Sequence, residues 1–214
     1  MTVLIVGASA AGLTTAETLR RKGFRDRITI LGAELHPPYD RPPLSKQFLH
    51  GAWDEPRTHL RPGKVLSALD ADFVLGDPAV ALEDHTVHTT TGRSLTADHV
   101  VIATGLTPRR LPGEPLEGVH VLRTLDDAAA LRKALRSLRE GARGGRVVVV
   151  GDGVLGAEIA ATACRLGLAV TVAGPQATLM EAQLGGVVGG LLGELHRAEG
   201  VELRLRVWRL AGLS

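Results

Sequence analysis

The stretch Thr2-Val3-Leu4-Ile5-Val6-Gly7-Ala8-Ser9-Ala10-Ala11-Gly12 decides the fold of this chain. It starts with an apolar run that is typical of a parallel strand covered on both faces. Gly7 allows a tight turn out of that strand, and Gly12 allows the next helix, predicted over residues 10–22, to pack closely on the sheet. The start of this helix directs free N–H groups beyond Gly7, which suits a pyrophosphate. Ser9 stands at the middle glycine position, where its small hydroxyl can donate a hydrogen bond.

An acidic residue follows the second predicted strand. That strand covers residues 27–31, and Glu34 comes shortly after it. A carboxylate at this place can accept hydrogen bonds from the ribose hydroxyls of an adenosine. An ordinary βαβ turn with a solvated Glu34 would need no ligand. The order of strand, turn, helix and acid favours the nucleotide site.

A second glycine turn, Gly151-Asp152-Gly153-Val154-Leu155-Gly156, repeats the plan about a domain's length later. A strand is predicted over 146–150, a helix to about 166 and another strand over 169–173. The residues that follow, Ala173-Gly174-Pro175-Gln176, include no carboxylate for a ribose 2′-hydroxyl and no nearby Arg for a 2′-phosphate. The choice between NADH and NADPH therefore stays open.

Two such turns predict a chain that holds two dinucleotides, which is the layout of a flavoprotein that passes hydride from a nicotinamide to a flavin. The predicted fold class is α/β, with two Rossmann-like three-layer nucleotide-binding units, the first carrying a small antiparallel β-meander. We place the FAD-binding domain at 1–115 and a partial NAD(P)-binding domain at 116–214.

The composition is that of an ordinary globular protein: of 214 residues, 44% are hydrophobic and 22% charged, with a net charge of +2. The basic residues of 132–146 alternate with Leu and Ala, so we interpret them as a solvated helix face and expect no nucleic-acid binding. Cys164 is the single cysteine, which excludes an internal redox-active disulfide, and we interpret it as a buried structural thiol.

No membrane, metal or secretion signal is expected. Residues 184–193 form the longest uncharged stretch, which is too short and too rich in glycine to span a bilayer. The N-terminus enters its first strand at once, leaving no room for a signal peptide, so we expect a cytoplasmic location. His85 and His88 lack convergent partners and are interpreted as surface residues, so no metal is expected.

Between the two turns the chain is predicted to contain a long loop, short strands, a linker and one helix. Residues 32–62 show no sustained period, and loops of this length are usually functional or disordered. Short strands are predicted over 72–75, 80–82 and 86–89, and a buried strand over 99–105. A helix over 125–140, capped by Thr124, precedes the second glycine turn, and residues 201–207 are strand-like.

Beyond these patterns, the sequence resembles the FAD-dependent ferredoxin reductases, a family that includes rubredoxin and putidaredoxin reductases. The string Tyr39-Asp40-Arg41-Pro42-Pro43-Leu44-Ser45-Lys46 is the most specific part of the match. The other matching segments are Val6 to Gly12, Ile102-Ala103-Thr104-Gly105, Thr107-Pro108-Arg109, Leu122 to Asp127 and Val150 to Glu158.

The resemblance implies that NAD(P)H reduces bound FAD, which then passes electrons to a ferredoxin-type iron–sulfur protein. It places Arg41 at the phosphate or ribityl region, Pro42 behind the isoalloxazine ring, and Lys46 near the flavin N5, paired with Glu158; Lys46 and Glu158 are the implied catalytic residues. Without the resemblance, Lys46 and Glu158 would be two solvated charges.

The residues expected to bind FAD are Gly7, Ser9, Ala11, Gly12, Glu34, Arg41, Pro42, Lys46, Ala103, Thr104 and Gly105. Those expected to bind NAD(P)H are Gly151, Gly153, Val154, Leu155 and Gly156.

The chain departs from the family in length. Members are nearly twice as long, so we expect the C-terminal FAD segment and the interface domain to be absent from a truncated chain. A non-catalytic remnant that at most binds a dinucleotide is therefore the alternative to the reductase. A single-cofactor NAD dehydrogenase is a third reading, which leaves residues 40–46 unexplained. The sequence does not determine the oligomeric state or the electron acceptor.

Overall fold

A computed structural model of the chain describes residues 1–114, 116–141 and 145–207. Internal contacts divide the chain into two units: unit 1 contains Met1–Asp40 and Glu55–Thr107, and unit 2 contains Arg41–Asp54 and Pro108–Ser214. The segment Arg41–Asp54 thus groups with unit 2, although it lies within the sequence range predicted for the first domain. The assignment of one cofactor to each domain stays a prediction.

Regular elements alternate along the described chain. The strands are β1 (Val3–Val6), β2 (Ile28–Leu31), β3 (Asp72–Val74), β4 (Ala79–Glu83), β5 (Thr86–Thr89), β6 (Ser94–Thr96), β7 (His99–Ile102), β8 (Arg146–Val150), β9 (Ala169–Ala173) and β10 (Val201–Arg204). The helices are α1 (Ala10–Arg21), α2 (Gln47–His50), α3 (Gly63–Ala68), α4 (Leu125–Glu140), α5 (Val154–Arg165) and α6 (Glu181–Ala198), with short 3₁₀ helices at Pro42–Ser45 and Glu55–Thr58.

A parallel sheet in the order β3-β2-β1-β7 forms the centre of unit 1. Val3 of β1 is in register with Ile28 of β2 and with His99 of β7. All four residues of β1 are buried, as the apolar run predicts for a strand covered on both faces. Leu13 and Ala16 of α1 pack into the same core. A separate antiparallel sheet, β4-β5-β6, confirms the predicted β-meander.

The prediction of a buried strand over 99–105 is wrong in two respects. The strand ends at Ile102, and the side chain of Ile102 is 68% exposed. β7 pairs only with β1 among the described strands, so it lies at the edge of the sheet. An edge strand has a neighbour on one side alone, and the apolar content of a short run does not reveal this position.

Unit 2 is built on a second parallel sheet, in the order β10-β9-β8. α4 has the predicted bounds, and its cap is confirmed: the Thr124 hydroxyl accepts from the amide of Asp127 at 3.1 Å, while the carboxylate of Asp127 accepts from the amide of Thr124 at 2.9 Å. These reciprocal bonds satisfy amides that the first helical turn leaves unpaired.

The long helix α6 was not predicted, because five glycines between 185 and 193 argue against a helix. Gly185 has a φ of +73° and interrupts the helical backbone near its start. The helix forms despite its glycines because it packs against β10, and Leu192 packs against the core of unit 2. Across the described ranges, no helix combines the length and apolarity needed to span a membrane.

Two expectations about side-chain environment are corrected. Arg132 is not on a fully solvated face: its guanidinium lies over the ring of Phe48 at 5.2 Å and donates to the carbonyl of Trp53 at 3.3 Å. This burial lowers the pKa of Arg132. Cys164 is only partly buried, and its Sγ lies 2.9 Å from the carbonyl oxygen of Glu199. The predicted strand-like stretch 201–207 is regular only over β10, and residues 208–214 lie outside the described residues.

Candidate functional site

The first glycine turn closes tightly around its own backbone. Gly7 has a φ of +126°, and a Cβ at this position would lie 2.1 Å from the carbonyl oxygen of Ala103. A Cβ on Gly12 would lie 1.9 Å from the carbonyl oxygen of Gly7. No side chain fits at either position, so both glycines are required by the strand–turn–helix geometry.

The start of α1 carries free hydrogen-bond donors. Ser9 is the N-cap and makes no side-chain capping bond. Within the described part of the chain, the amides of Ala10, Ala11 and Gly12 have no acceptor, as is usual for a first helical turn. Together with the helix dipole, these amides form a site that suits a diphosphate.

The tail of β7 reaches this turn. The amide of Ala103 donates to the carbonyl of Val6 at 2.7 Å, which places Ala103 and the amide of Thr104 beside Gly7 at the carboxyl edge of the sheet. Gly105 has a φ of +75°, a conformation that favours glycine. The sheet therefore brings Ala103 of the predicted flavin residues to the glycine turn.

Glu34 follows β2, and the phenol of Tyr39 donates a hydrogen bond to its carboxylate. The amide of Gly76 donates to the carbonyl of Glu34 at 3.0 Å. Tyr39 is buried, whereas Glu34 is half-buried. A buried phenol thus orients the predicted ribose-binding carboxylate, a contact that the sequence pattern did not indicate.

Lys46 and Glu158 form an ion pair in unit 2, with 2.8 Å between Nζ and Oε1. Their side chains are 37% and 30% exposed, so both charges are partly shielded from water. The other carboxylate oxygen of Glu158 accepts from the hydroxyl of Ser45 at 2.6 Å, and Ser45 is buried. Glu158 therefore holds two successive residues of the chain at once.

The segment that carries Lys46 is anchored at both ends. The Thr162 hydroxyl of α5 donates to the carbonyl of Ser45 at 2.7 Å, and the guanidinium of Arg41 donates to the carbonyl of Arg123 at 2.6 Å. Pro42, at the start of the 3₁₀ helix, remains exposed. The arrangement presents an oriented ammonium and an exposed proline ring from one short segment.

The second glycine turn repeats the geometry of the first. A Cβ on Gly156 would lie 1.9 Å from the carbonyl oxygen of Gly151, whose φ is +132°. The middle glycine, Gly153, is the N-cap of α5, and no atom lies within 4 Å of its Cβ position. Gly153 thus leaves open space where Ser9 of the first turn has a side chain.

Asp152 of the second turn is buried, with 4% of its surface exposed. Its carboxylate accepts from the amide of Gln176 at 2.7 Å and from the side-chain amide of Gln176 at 2.7 Å. The three atoms nearest to a Cβ built on Gly174 all belong to Asp152, the closest at 2.3 Å. The residue after β9 is therefore glycine because Asp152 fills the space beside it.

An open pocket lies beyond the carboxyl ends of β9 and β10, lined by Pro175, Gln176, Ala177, Glu181 and Arg206. Arg206 in this lining corrects the expectation that no Arg lies near the end of β9. Arg206 is distant in sequence, but its amide donates to the carbonyl of Gln176 at 3.0 Å, where the chains leave the two strands side by side.

Among the predicted residues, those of the first glycine turn lie beside Ala103 in unit 1. Unit 2 contains the second glycine turn and the ion pair between Lys46 and Glu158. Arg41, Pro42 and Lys46 group with unit 2 rather than with the first glycine turn. Sequence reasoning did not identify the roles of Ser45, Thr162, Asp152, Tyr39 and Arg206. Three of them carried a signal: Tyr39 and Ser45 lie in the string that matches the family, and Asp152 interrupts a motif of small residues.

Comparison with known proteins identifies relatives along almost the whole chain. The family model of the pyridine nucleotide-disulphide oxidoreductases matches residues 1–208. The ferredoxin–NAD(+) reductase component of the p-cumate 2,3-dioxygenase system of Pseudomonas putida is 38% identical over 212 residues, which are 96% of this chain and 50% of the relative. Rhodocoxin reductase of Rhodococcus erythropolis is 35% identical over 209 residues, 96% of this chain and 48% of the relative. The chain thus spans about half the length of these curated relatives.

Solved structures show the same likeness. The ferredoxin reductase for the CYP199A2 system of Rhodopseudomonas palustris has a TM-score of 0.88 at 32% identity, covering 96% of this chain and 50% of that one. Putidaredoxin reductase in its covalent complex with putidaredoxin has a TM-score of 0.85 at 32% identity, covering 96% and 49%. The predicted fold class and the family resemblance are confirmed.

Proposed function

This chain belongs to the pyridine nucleotide-disulphide oxidoreductase family, and from that premise we propose that it is a flavoprotein that transfers electrons from NAD(P)H through FAD to a ferredoxin-type iron–sulfur protein. The relatives named as ferredoxin–NAD(+) reductases support this activity. A cytoplasmic location forms part of the same proposal.

The observation that carries the proposal is that each unit has its own closed glycine turn. In both turns the last glycine packs against the carbonyl of the first so closely that a Cβ would lie 1.9 Å from that oxygen. In both, a helix of 12 residues starts within the turn, at Ala10 and at Val154. One such turn accommodates one diphosphate, so two turns support two dinucleotides.

The residues of unit 1 fit FAD. The free amides of Ala10, Ala11 and Gly12 suit its pyrophosphate, and Glu34, oriented by Tyr39, suits the adenosine ribose. The close approach of Ala103 to Gly7 leaves backbone rather than side chains at the turn. When bound, FAD supplies the redox-active ring and NAD(P)H the hydride.

Lys46 and Glu158 are proposed to act as a pair. A positively charged Lys46 near a reduced flavin would stabilise its negative charge. Glu158 orients Lys46 through the 2.8 Å ion pair and is itself held by Ser45. The role of Glu158 is therefore to position the ammonium, while Lys46 acts on the developing charge.

Aerobic purification followed by a flavin titration tests the proposal. We expect a yellow protein, or a colourless one that quenches the fluorescence of added FAD, and we expect NADH or NADPH to bleach the flavin absorbance without oxygen. Ferredoxin reduction is then followed by its own absorbance. A chain that binds a dinucleotide but is never reduced would favour the non-catalytic remnant.

Matched variants localise the activity. Glu158→Gln should retain FAD and slow flavin reduction, because the neutral amide no longer fixes Lys46. Gly63→Ala is the control, since no atom lies within 4 Å of its Cβ position and its φ is unstrained. If Glu158→Gln reduces flavin as fast as the wild-type protein, the pair has no role in the reaction.

A further inference from the structure

Position 174, directly after β9 in unit 2, has no room for a side chain. A Cβ on Gly174 would lie 2.3 Å from the Cγ and Oδ2 atoms of Asp152. Asp152 itself cannot serve a ligand, because it is buried and both its oxygens bind Gln176. Position 174 therefore carries no carboxylate, and the third place after the strand, which Glu34 occupies after β2, is occupied after β9 by Gln176.

Gln176 is also committed to the fold. Its side-chain amide group donates to Asp152, and its side-chain oxygen accepts from the amide of Ala182 at 2.6 Å. Both ends of this side chain are therefore used, which leaves Glu181 and Arg206 as the charged groups of the pocket.

The carboxylate of Glu181 binds backbone amides at the start of its own helix, α6. One carboxylate oxygen accepts from the amides of Ala177 at 2.7 Å and Thr178 at 3.3 Å, so it stabilises the turn that leads into α6. This contact fixes the carboxylate against backbone donors through one of its two oxygens.

Arg206 is held in place by its backbone and has a free head group. Its amide binds the carbonyl of Gln176, the amide of Val207 binds the carbonyl of Gly174 at 3.0 Å, and its φ is +62°. The side chain is exposed and makes no hydrogen bond or ion pair with any residue of 1–114, 116–141 or 145–207. An unneutralised guanidinium beside an open pocket is suited to a phosphate.

We infer that unit 2 selects NADPH over NADH, with Arg206 binding the adenosine 2′-phosphate in the pocket beyond β9 and β10. The inference rests on the proposed function, because it assigns the pocket to the nicotinamide nucleotide of that reaction. An Arg near the end of β9 accommodates a 2′-phosphate, and Gln176, at the place that Glu34 holds after β2, supplies no carboxylate for a free 2′-hydroxyl.

Isothermal titration of the full chain with 2′,5′-ADP and with 5′-AMP isolates the contribution of the 2′-phosphate without requiring flavin or turnover. We expect 2′,5′-ADP to bind at least about tenfold more tightly, since charge-assisted contacts to phosphate are strong. Arg206→Leu should abolish the difference and leave the affinity for 5′-AMP unchanged, and Arg206→Lys should restore part of it. Arg204→Leu is the matched control, because Arg204 is exposed and already paired with Glu202 at 2.8 Å.

The outcomes distinguish a failure of the NADPH inference from a failure of the proposed function. Equal binding of both nucleotides, or tighter binding of 5′-AMP through Glu181, overturns the NADPH inference and leaves the proposed function standing. Loss of the preference in Arg204→Leu also overturns it, since the effect would then be one of general charge. If neither nucleotide nor NADH nor NADPH binds, the proposed function and the inference both fail.

Discussion

Replacing Gly174 by alanine should destabilise unit 2, although the backbone at this position is unstrained for an L-residue. The added Cβ would lie 2.3 Å from the carboxylate of Asp152, more than 1 Å inside an ordinary contact of about 3.5 Å. Asp152 cannot turn away freely, because its two oxygens bind the backbone and side-chain amides of Gln176, each at 2.7 Å.

The size of the effect follows from the two ways of relieving the contact. Rotating Asp152 away loses two hydrogen bonds to a charged group, each worth about 1.5–3 kcal/mol. Shifting the end of β9 instead costs about 1–3 kcal/mol, the range for an overpacked core. The second route is cheaper, so we expect Gly174→Ala to lower the free energy of unfolding by about 2–3 kcal/mol.

A double-mutant cycle isolates this contact. Asp152→Gly removes all three atoms nearest to the new Cβ, so Gly174→Ala in that background should cost less than about 0.5 kcal/mol. It could even stabilise slightly, since Gly→Ala reduces the entropy of the unfolded chain by about 0.4–1 kcal/mol. The expected coupling energy is about 2 kcal/mol, within the range of residues in contact.

Urea unfolding followed by tryptophan fluorescence measures the free energies of unfolding of unit 2, the part of the chain that contains Gly174. Trp53 belongs to unit 2, and the sequence ranges of unit 1 contain no tryptophan. Gly190→Ala is the control, because no atom lies within 4 Å of its Cβ position in α6. A cost below about 0.5 kcal/mol for Gly174→Ala in the wild-type protein, or the same cost in both backgrounds, would refute the steric argument.

Three further changes test other parts of the chain. Gly153→Ala should weaken NAD(P)H binding at least about tenfold in a titration, because its Cβ would lie where backbone must approach a phosphate. Its Cβ meets no protein atom, so the free energy of unfolding should fall by no more than about 1 kcal/mol, the usual size of an N-cap effect. Thr124→Ala should lower the free energy of unfolding by about 0.5–2 kcal/mol in the same urea assay, since it removes the hydroxyl that accepts from Asp127. The pKa of Asp98 is lowered by the backbone amide of Thr2 and then by the Thr2 hydroxyl, so its stabilisation is present above pH about 4 and is lost as the pH falls through the lowered pKa. Melting temperatures of Asp98→Asn should therefore depend less on pH below about 4 than those of the wild-type protein.

Much of the fold could be predicted from local patterns. The glycine turns and α4 were identified because each depends on residues close in sequence: glycines where a side chain cannot fit, and a Thr124 cap three residues before Asp127. α6 was missed because its glycines oppose a helix, and packing on β10 overcomes that local preference. The exposure of Ile102 was missed because an apolar run does not show whether its strand is central or at an edge.

The sequence by itself determined that this chain has two nucleotide-type turns, because glycine sterics act over a few residues, whereas the pairing of Lys46 with Glu158 was implied only by the family resemblance. Only the tertiary structure decided that Glu158 also holds Ser45, that Asp152 excludes a side chain at position 174, and that Arg206 lies beside Gln176. These contacts join residues distant in sequence. They arise because parallel strands bring their carboxyl ends to one edge and packed helices place side chains against remote segments.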